Sequence, residues 1–234
     1  MITGAELFVK ALKAENVDVL FAYPGGQAID LFDALYAADG INVILPRHEQ
    51  GLAHAADGYA RATGRPGVCL VTSGPGATNL VTAIATANYD SVPLVCFTGQ
   101  VPRHLIGNDA FQEADIVGMV RGITKYAVTV RDRASLATTI KKAFVIARSG
   151  RPGAVLVDIP KDIQRESGDE EYPETVEIRG YRPTANVHVG QIKRALSALA
   201  RARRPLLLAG GGVRVARAED ELTAFAELTG IPVV

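Results

Sequence analysis

Four runs of this chain are apolar nearly from end to end: VDVLFAY (17–23), GVCLVT (67–72), PLVCFTG (93–99) and AVLVDIP (154–160). A strand with one wet face alternates apolar and polar residues. A strand that is apolar throughout is covered on both faces, which is the situation of a parallel sheet. Segments of helical periodicity separate the runs, and parallel neighbours need such crossover connections. Thr3-Gly4-Ala5-Glu6 has the form of a capping box and opens a helix with Leu7, Phe8, Ala11 and Leu12 on its apolar face. Further helices are expected over residues 28–37, from the 73–79 turn through Thr86, over FQEADIVGMV (111–120) and over RASLATTIKKAFVIARSG (133–150). INVIL (41–45) and TKYAVTV (124–130) add two strands. The expected fold is α/β, a parallel sheet sandwiched by helices, over residues 1–165.

The stretch 166–185 is acidic, holds two prolines and has no sustained period, so it reads as a linker. Beyond it the rhythm resumes: helix VGQIKRALSALARA, strand RPLLLAGGG, helix AEDELTAFAELTG, strand IPVV. Residues 186–234 begin a parallel sheet that so short a unit cannot bury, so an incomplete second α/β domain of a longer protein is expected. Lys and Arg number 25, as do Asp and Glu, which leaves no electrostatic footprint for nucleic acid or an anionic membrane. No apolar run approaches the roughly 20 residues of a membrane span, and the N-terminus lacks the form of a signal peptide. Cys69 and Cys96 fall within apolar strands and are expected as buried, reduced thiols of a cytoplasmic chain. Neither the cysteines nor the four histidines have metal-site spacing, so no metal ligands are expected here.

Three loops carry the candidate chemistry. Pro24-Gly25-Gly26 follows the first strand, Arg47-His48-Glu49 the second and Ser73-Gly74-Pro75-Gly76 the third. Each has an ordinary reading: two tight strand-to-helix turns, and a carboxylate placed at a helix start to complement the dipole. The Gly74 turn also suggests a dinucleotide cradle. Its spacing is Gly-x-Gly-x-x-Asn, however, and the strand after it ends in Thr98-Gly99 with no acid for a ribose. Asn79 instead offers an amide to cap a turn or bond a heteroaromatic ring. All three loops lie at the carboxyl ends of strands, where open α/β sheets bind ligands.

YPGG (23–26), RHEQGLAHAADGYAR (47–61), TSGPGATN (72–79), GQVPR (99–103), DAFQEAD (109–115), SGRPGAVLVDIPKD (149–162) and LLLAGGGV (206–213) occur in an order that resembles acetolactate (acetohydroxyacid) synthase catalytic subunits. These are members of the thiamine-diphosphate-dependent enzyme superfamily. The resemblance implies that 1–165 is the pyrimidine-binding domain and that 186–234 starts the central, FAD-associated domain. It implies that Glu49 is the catalytic carboxyl group, sharing a proton with N1′ of the aminopyrimidine so that the 4′-imino nitrogen can deprotonate C2 of the thiazolium. Such a role calls for a carboxyl in a dry cleft. Tyr23, Pro24, Gly25, Gly26, Pro75, Asn79 and Gln112 would contact thiamine diphosphate. Phe111, Gln112 and Lys161 would face the substrate. Ser91, Arg151, Gly210, Gly211 and Gly212 would bind FAD in a largely structural role. His48 has no role in this correspondence beyond polar support of Glu49.

The family's diphosphate domain carries a Gly-Asp-Gly motif and ligands for Mg2+. The nearest string here, Gly168-Asp169-Glu170, is no match. The chain is therefore expected to be half of a site, completed by a homodimer or tetramer partner, and inactive by itself. The implied substrates are pyruvate and a second 2-oxo acid, and the resemblance allows for a regulatory small subunit. Rival expectations are a pyruvate oxidase, a sulfoacetaldehyde acetyltransferase or a non-catalytic assembly module. Glyoxylate carboligase is disfavoured because Glu49 is present.

Overall fold

The computed structural model describes residues 1–184 and 186–234, and the chain divides into two compact units, Met1–Pro183 and Thr184–Val234. The first unit runs β1 (Ile2–Thr3), α1 (Gly4–Ala14), β2 (Val19–Ala22), α2 (Ile29–Tyr36), β3 (Asn42–Ile44), α3 (Glu49–Thr63) and β4 (Gly67–Val71). It continues through α4 (Pro75–Thr78), α5 (Val81–Tyr89), β5 (Leu94–Gln100), α6 (Ile116–Val120), β6 (Tyr126–Thr129), α7 (Leu136–Arg148), β7 (Ala154–Pro160), α8 (Lys161–Arg165) and β8 (Ser167–Gly168). Six strands pair in parallel in the order β3-β2-β4-β5-β7-β6. The apolar runs β4, β5 and β7 are buried along their whole length, as continuous apolarity requires, and β3 is an exposed edge.

Alternate strand residues feed two cores, one on each face of the sheet. Val68, Leu70, Val95, Phe97, Val155 and Val157 pack with Leu7, Phe8, Leu12, Leu31, Ile140 and Phe144 of α1, α2 and α7. Phe8 and Phe97 meet edge to face, with ring centroids 4.9 Å apart. Cys69, Val71, Leu94, Cys96 and Leu156 point the other way, toward Leu52 and Ala56 of α3, Leu80 at the head of α5 and Ile84 within it. Cys69 and Cys96 are register partners on β4 and β5, both free and buried, and burial raises the Cys69 thiol well above its ordinary range. Each large apolar side chain so enclosed contributes roughly 1.5–3 kcal/mol.

The capping box forms as expected: Thr3 Oγ1 accepts from Glu6 N at 3.2 Å, and Glu6 Oε2 accepts from Thr3 N at 2.7 Å. Two expected helices come out differently. The one through Thr86 is broken after Thr78, and the one over 111–120 contracts to Ile116–Val120. Asp115 caps the shortened α6 through Gly118 N at 2.8 Å, and Asp109 and Gln112 adopt positive φ, so the preceding residues are a shaped loop.

Residues 166–183 lie against the first unit. Ser167–Gly168 pairs antiparallel with Ile2–Thr3, and Tyr172 and Tyr181 pack on the core's edge. Tyr172 Oη donates to Glu15 at 2.9 Å, and the Glu15 carboxylate also takes Lys141 at 2.8 Å and Arg148 at 2.5 Å.

The second unit holds α9 (Val189–Arg201), α10 (Gly212–Ala216) and α11 (Glu219–Thr229). Its two expected strands meet in one parallel bridge, Leu207 with Val233, and Ile192, Leu196 and Leu208 stay exposed.

Candidate functional site

The strand order doubles back after β3: the chain leaves β2 for β3 on one side and returns to β4 on the other. The loops after β2 and β4 therefore diverge above the gap between those strands, the topological switch point where doubly wound sheets hold ligands. The first loop is Tyr23-Pro24-Gly25-Gly26 and the second is Ser73-Gly74-Pro75-Gly76, ahead of α4. Glu49 enters from the loop after β3, as the first residue of α3.

Glu49 is half-buried, and Asn79 Nδ2 donates to its Oε2 at 3.0 Å. A Cβ added to Gly76 would stand 3.5 Å from Glu49 Oε1, so the glycine leaves room beside the carboxylate. The support for Glu49 is thus Asn79. His48 caps α3 instead, its Nδ1 accepting from Gln50 N at 3.1 Å.

Thr72, directly after β4 and the first residue of TSGPGATN, joins the two glycine turns, a role that the motif reading had not given it. Its Oγ1 accepts from Gln27 N at 3.2 Å, and a Cβ on Gly25 would lie 2.5 Å from Thr72 Cβ. The available signal was a branched hydroxyl residue placed between two glycine turns. Below the first turn, α8 acts as a brace. Lys161 Nζ donates to Gly26 O at 2.6 Å and Gln164 Nε2 to Gln27 O at 2.8 Å. Arg103 holds Asp162 at 2.6 Å; burial is the largest single influence and works to raise that carboxyl, but the guanidinium's hydrogen bond, the Arg103 backbone N–H and the Arg103 charge together outweigh it and its pKa falls.

The chain between β5 and α6 lies on the second turn. Gly74 has φ +53°, and a Cβ there would come 2.5 Å from Gln112 O, so only glycine allows this approach. Phe111, beside Gln112, is 82% exposed. Next to this loop is a buried polar cluster. Asp158, 1% exposed, accepts from Thr98 Oγ1 at 2.6 Å, Gln100 Nε2 at 3.0 Å and Thr129 Oγ1 at 3.1 Å. Burial pushes its pKa up to about 6 against those three donors, and the charge of Asp115 adds to the rise.

Tyr23, Pro24, Gly25, Gly26, Glu49, Pro75, Asn79, Phe111, Gln112 and Lys161 therefore gather at the carboxyl edge of the sheet. Ser91 and Arg151 do not. They precede β5 and β7 at the opposite edge, where Arg151 Nε donates to Ser91 Oγ at 2.7 Å and Nη2 to Tyr89 O at 2.9 Å. Gly210, Gly211 and Gly212 lie in the second unit at the start of α10, with open space where a Cβ would stand. Among the described residues, no group of three or more His, Cys, Asp or Glu is placed to hold a metal. Nor is any helix of those residues long and apolar enough to cross a membrane.

The site is thus a half-buried carboxyl with one oxygen held by an amide, standing between two backbone turns at a switch point. Two family models match the chain. Residues 2–119 match the thiamine pyrophosphate enzyme N-terminal TPP binding domain, and residues 192–234 match the central domain of the same enzymes. The chain belongs to the thiamine pyrophosphate enzyme family. Within this family it is 50% identical over 234 residues to the acetolactate synthase large subunit of Haemophilus influenzae, covering 99% of this chain and 41% of that protein. It is 50% identical over 233 residues to the acetolactate synthase large subunit of Corynebacterium glutamicum, covering 100% of this chain and 37% of the relative. The acetolactate synthase isozyme 3 large subunit of Escherichia coli is 49% identical over 236 residues, covering 100% of this chain and 41% of the relative. The chain thus spans about two fifths of the length of these curated relatives.

Proposed function

We propose that this chain is the N-terminal portion of an acetolactate synthase large subunit. The enzyme would decarboxylate pyruvate and join the remaining two-carbon unit to a second 2-oxo acid, in branched-chain amino-acid synthesis. The observation that carries the reading is the Glu49 carboxylate, held by Asn79 beside the Gly76 turn at the switch point. Thiamine diphosphate, when bound, supplies the carbanion chemistry. The residues of this chain do the rest. Glu49 holds and returns a proton at the aminopyrimidine nitrogen. Asn79 keeps the carboxylate turned toward it, with Tyr23, Pro24, Gly25, Gly26 and Pro75 as the walls. Phe111 and Gln112 stand on the substrate side, and Lys161, tied to Gly26 O, keeps the first turn in place.

Glu49 is half-open to solvent in this chain, which supports a site closed by a second copy in a dimer or higher oligomer. We assign Mg2+ to residues outside this chain. We assign FAD to Ser91, Arg151, Gly210, Gly211 and Gly212. The first two stand at the edge away from Glu49, in keeping with a flavin that takes no part in the reaction. The two neighbouring free thiols accord with a cytoplasmic enzyme.

The test is Glu49→Gln in the full-length gene product. Acetolactate formation from pyruvate should fall by roughly 10²–10⁴-fold, the usual weight of a general acid–base group. Hydrogen–deuterium exchange at C2 of bound thiamine diphosphate should slow with it, while the thermal midpoint holds. Near-wild-type exchange in that variant returns Glu49 to the role of a helix-start residue.

A further inference from the structure

The chain from Val101 to Ala114, which carries Phe111 and Gln112, begins and ends on one side chain. Gln100 is 4% exposed and uses its amide fully. Its Oε1 accepts from Val101 N at 2.9 Å, at the loop's first residue, and its Nε2 donates to Ala114 O at 3.1 Å, at the loop's last. The second hydrogen of Nε2 goes to Asp158 Oδ2 at 3.0 Å. That bond sets the amide's orientation. A flipped Gln100 would turn its carbonyl toward a carboxylate and its amide nitrogen toward the Val101 N–H, losing all three bonds. Asp158 is itself fixed by Thr98 and Thr129, from β5 and β6. Three strands therefore converge to aim one amide at the two ends of a loop.

Within the loop, Glu113 turns back and accepts from Gly107 N and, at 2.9 Å, from Ala110 N. The backbone of Gln112 then rests on Gly74, so close that a Cβ would intrude. Glu49, by contrast, is held by Asn79 and faces Gly76, with no bond to the loop. The proton-transfer carboxylate and the Phe111–Gln112 wall have separate supports.

Resting on the function proposed above, we infer that Gln100 is a positioning residue for the substrate side of the site: by clasping both ends of loop 101–114 it holds Phe111 and Gln112 over the Gly74 turn and so sets how tightly the second 2-oxo acid is received. No other residue type replaces it. Asn is a carbon too short to span both ends, Glu lacks the two donors, and Met keeps the length but loses every bond.

The test compares wild type with Gln100→Met and Gln100→Asn. In this 234-residue chain, backbone amides of residues 101–114 should exchange with deuterium roughly ten-fold faster in both variants, the scale expected when buried hydrogen bonds lose a partner. Amides of α1 and α7 should be unchanged. In the full-length enzyme, KM for 2-oxobutyrate in competition with pyruvate should rise roughly ten-fold, while C2 exchange of bound thiamine diphosphate stays within about two-fold. Unchanged loop exchange, or an unchanged KM with a loosened loop, overturns the inference. So does a parallel fall in C2 exchange, which would make Gln100 a support of the whole site. If Gln100→Met does not fold, Gln100→Asn, which keeps the amide, decides by the same readouts. If wild-type enzyme shows no C2 exchange and no acetolactate, the functional reading fails, and loop exchange in this chain still tests the clasp.

Discussion

Asp158 makes the acid side of this protein's stability curve calculable. The carboxyl is 1% exposed, and its burial raises the pKa from an ordinary 3.8 to about 6. Three donors oppose the rise: Thr98, Gln100 and Thr129. The sign follows from which state holds the proton. Between pH 3.8 and about 6 the unfolded chain has ionised this group while the folded chain has not, so stability falls as pH rises through that window. Below 3.8 the contribution is fully present, and above about 6 it is gone. The gap is about two pH units, and at 1.36 kcal/mol per unit it amounts to roughly 3 kcal/mol.

Asp158→Asn removes the titration and keeps the shape. The Asn amide meets donors that a carboxylate had accepted, which costs stability, but this cost does not vary with pH. The pH-dependent part therefore survives in the difference between the two proteins, where every other group's titration cancels. Urea unfolding of both, followed by far-UV circular dichroism from about pH 7.5 to about pH 4.5, crosses about 1.5 units of that window and should show wild-type stability rising relative to the variant by about 2 kcal/mol as pH falls. Carbon-13 titration of the Asp158 carboxyl should place its midpoint near 6. Parallel stability curves would refute the reasoning. A relative loss of wild-type stability toward acid would do so more sharply, since the three donors would then outweigh burial.

Two further substitutions test the packing around the site. Gly74→Ala combines a φ of +53° with a Cβ 2.5 Å from Gln112 O. It should cost about 2–4 kcal/mol in urea unfolding and speed amide exchange at Gln112, and a loss below about 0.5 kcal/mol would contradict the close approach. Glu15→Gln leaves Lys141 without its partner, at a side chain only 13% exposed, and weakens the anchor of Tyr172. The expected loss is about 3 kcal/mol, with earlier proteolytic nicking of residues 169–183; unchanged nicking would show that the segment is held by other contacts.

The parallel sheet was legible because continuous apolarity is a local property of each strand: GVCLVT, PLVCFTG and AVLVDIP became β4, β5 and β7 with no residue exposed. The Thr3–Glu6 cap was legible for the same reason, since all its atoms lie within one turn. What failed was decided at a distance. FQEADIVGMV has helical propensity, yet its first half is drawn into a loop whose clasp depends on Asp158, 58 residues from Gln100. Propensity of a few tenths of a kcal/mol per residue yields to such closure. The two-residue pairing of Ile2–Thr3 with Ser167–Gly168 is too short to leave any period in the sequence.

The glycines themselves divide by cause, and the division explains why a dinucleotide reading was tempting and wrong. Gly74 needs its left-handed backbone, so it is a turn glycine in the ordinary sense. Gly25 and Gly76 have no positive φ. They are glycines because Thr72 stands between them: a Cβ on the first would lie 2.5 Å from Thr72 Cβ, and one on the second 2.8 Å from its Cγ2. Thr72 Oγ1 meanwhile accepts the Gln27 N–H, which ties the first turn to the end of β4. In a dinucleotide fold the small residues clear space for a phosphate and for helix against strand. Here two of them clear space for a threonine, and the threonine sets the separation of the two loops that flank the switch point. A side chain at either glycine has to displace Thr72, and through it Gln27 and the opposite loop. The glycine spacing is therefore a statement about how far apart the walls of the site stand, and the Glu49 carboxylate, 3.5 Å from where a Gly76 Cβ would be, is aligned to that distance.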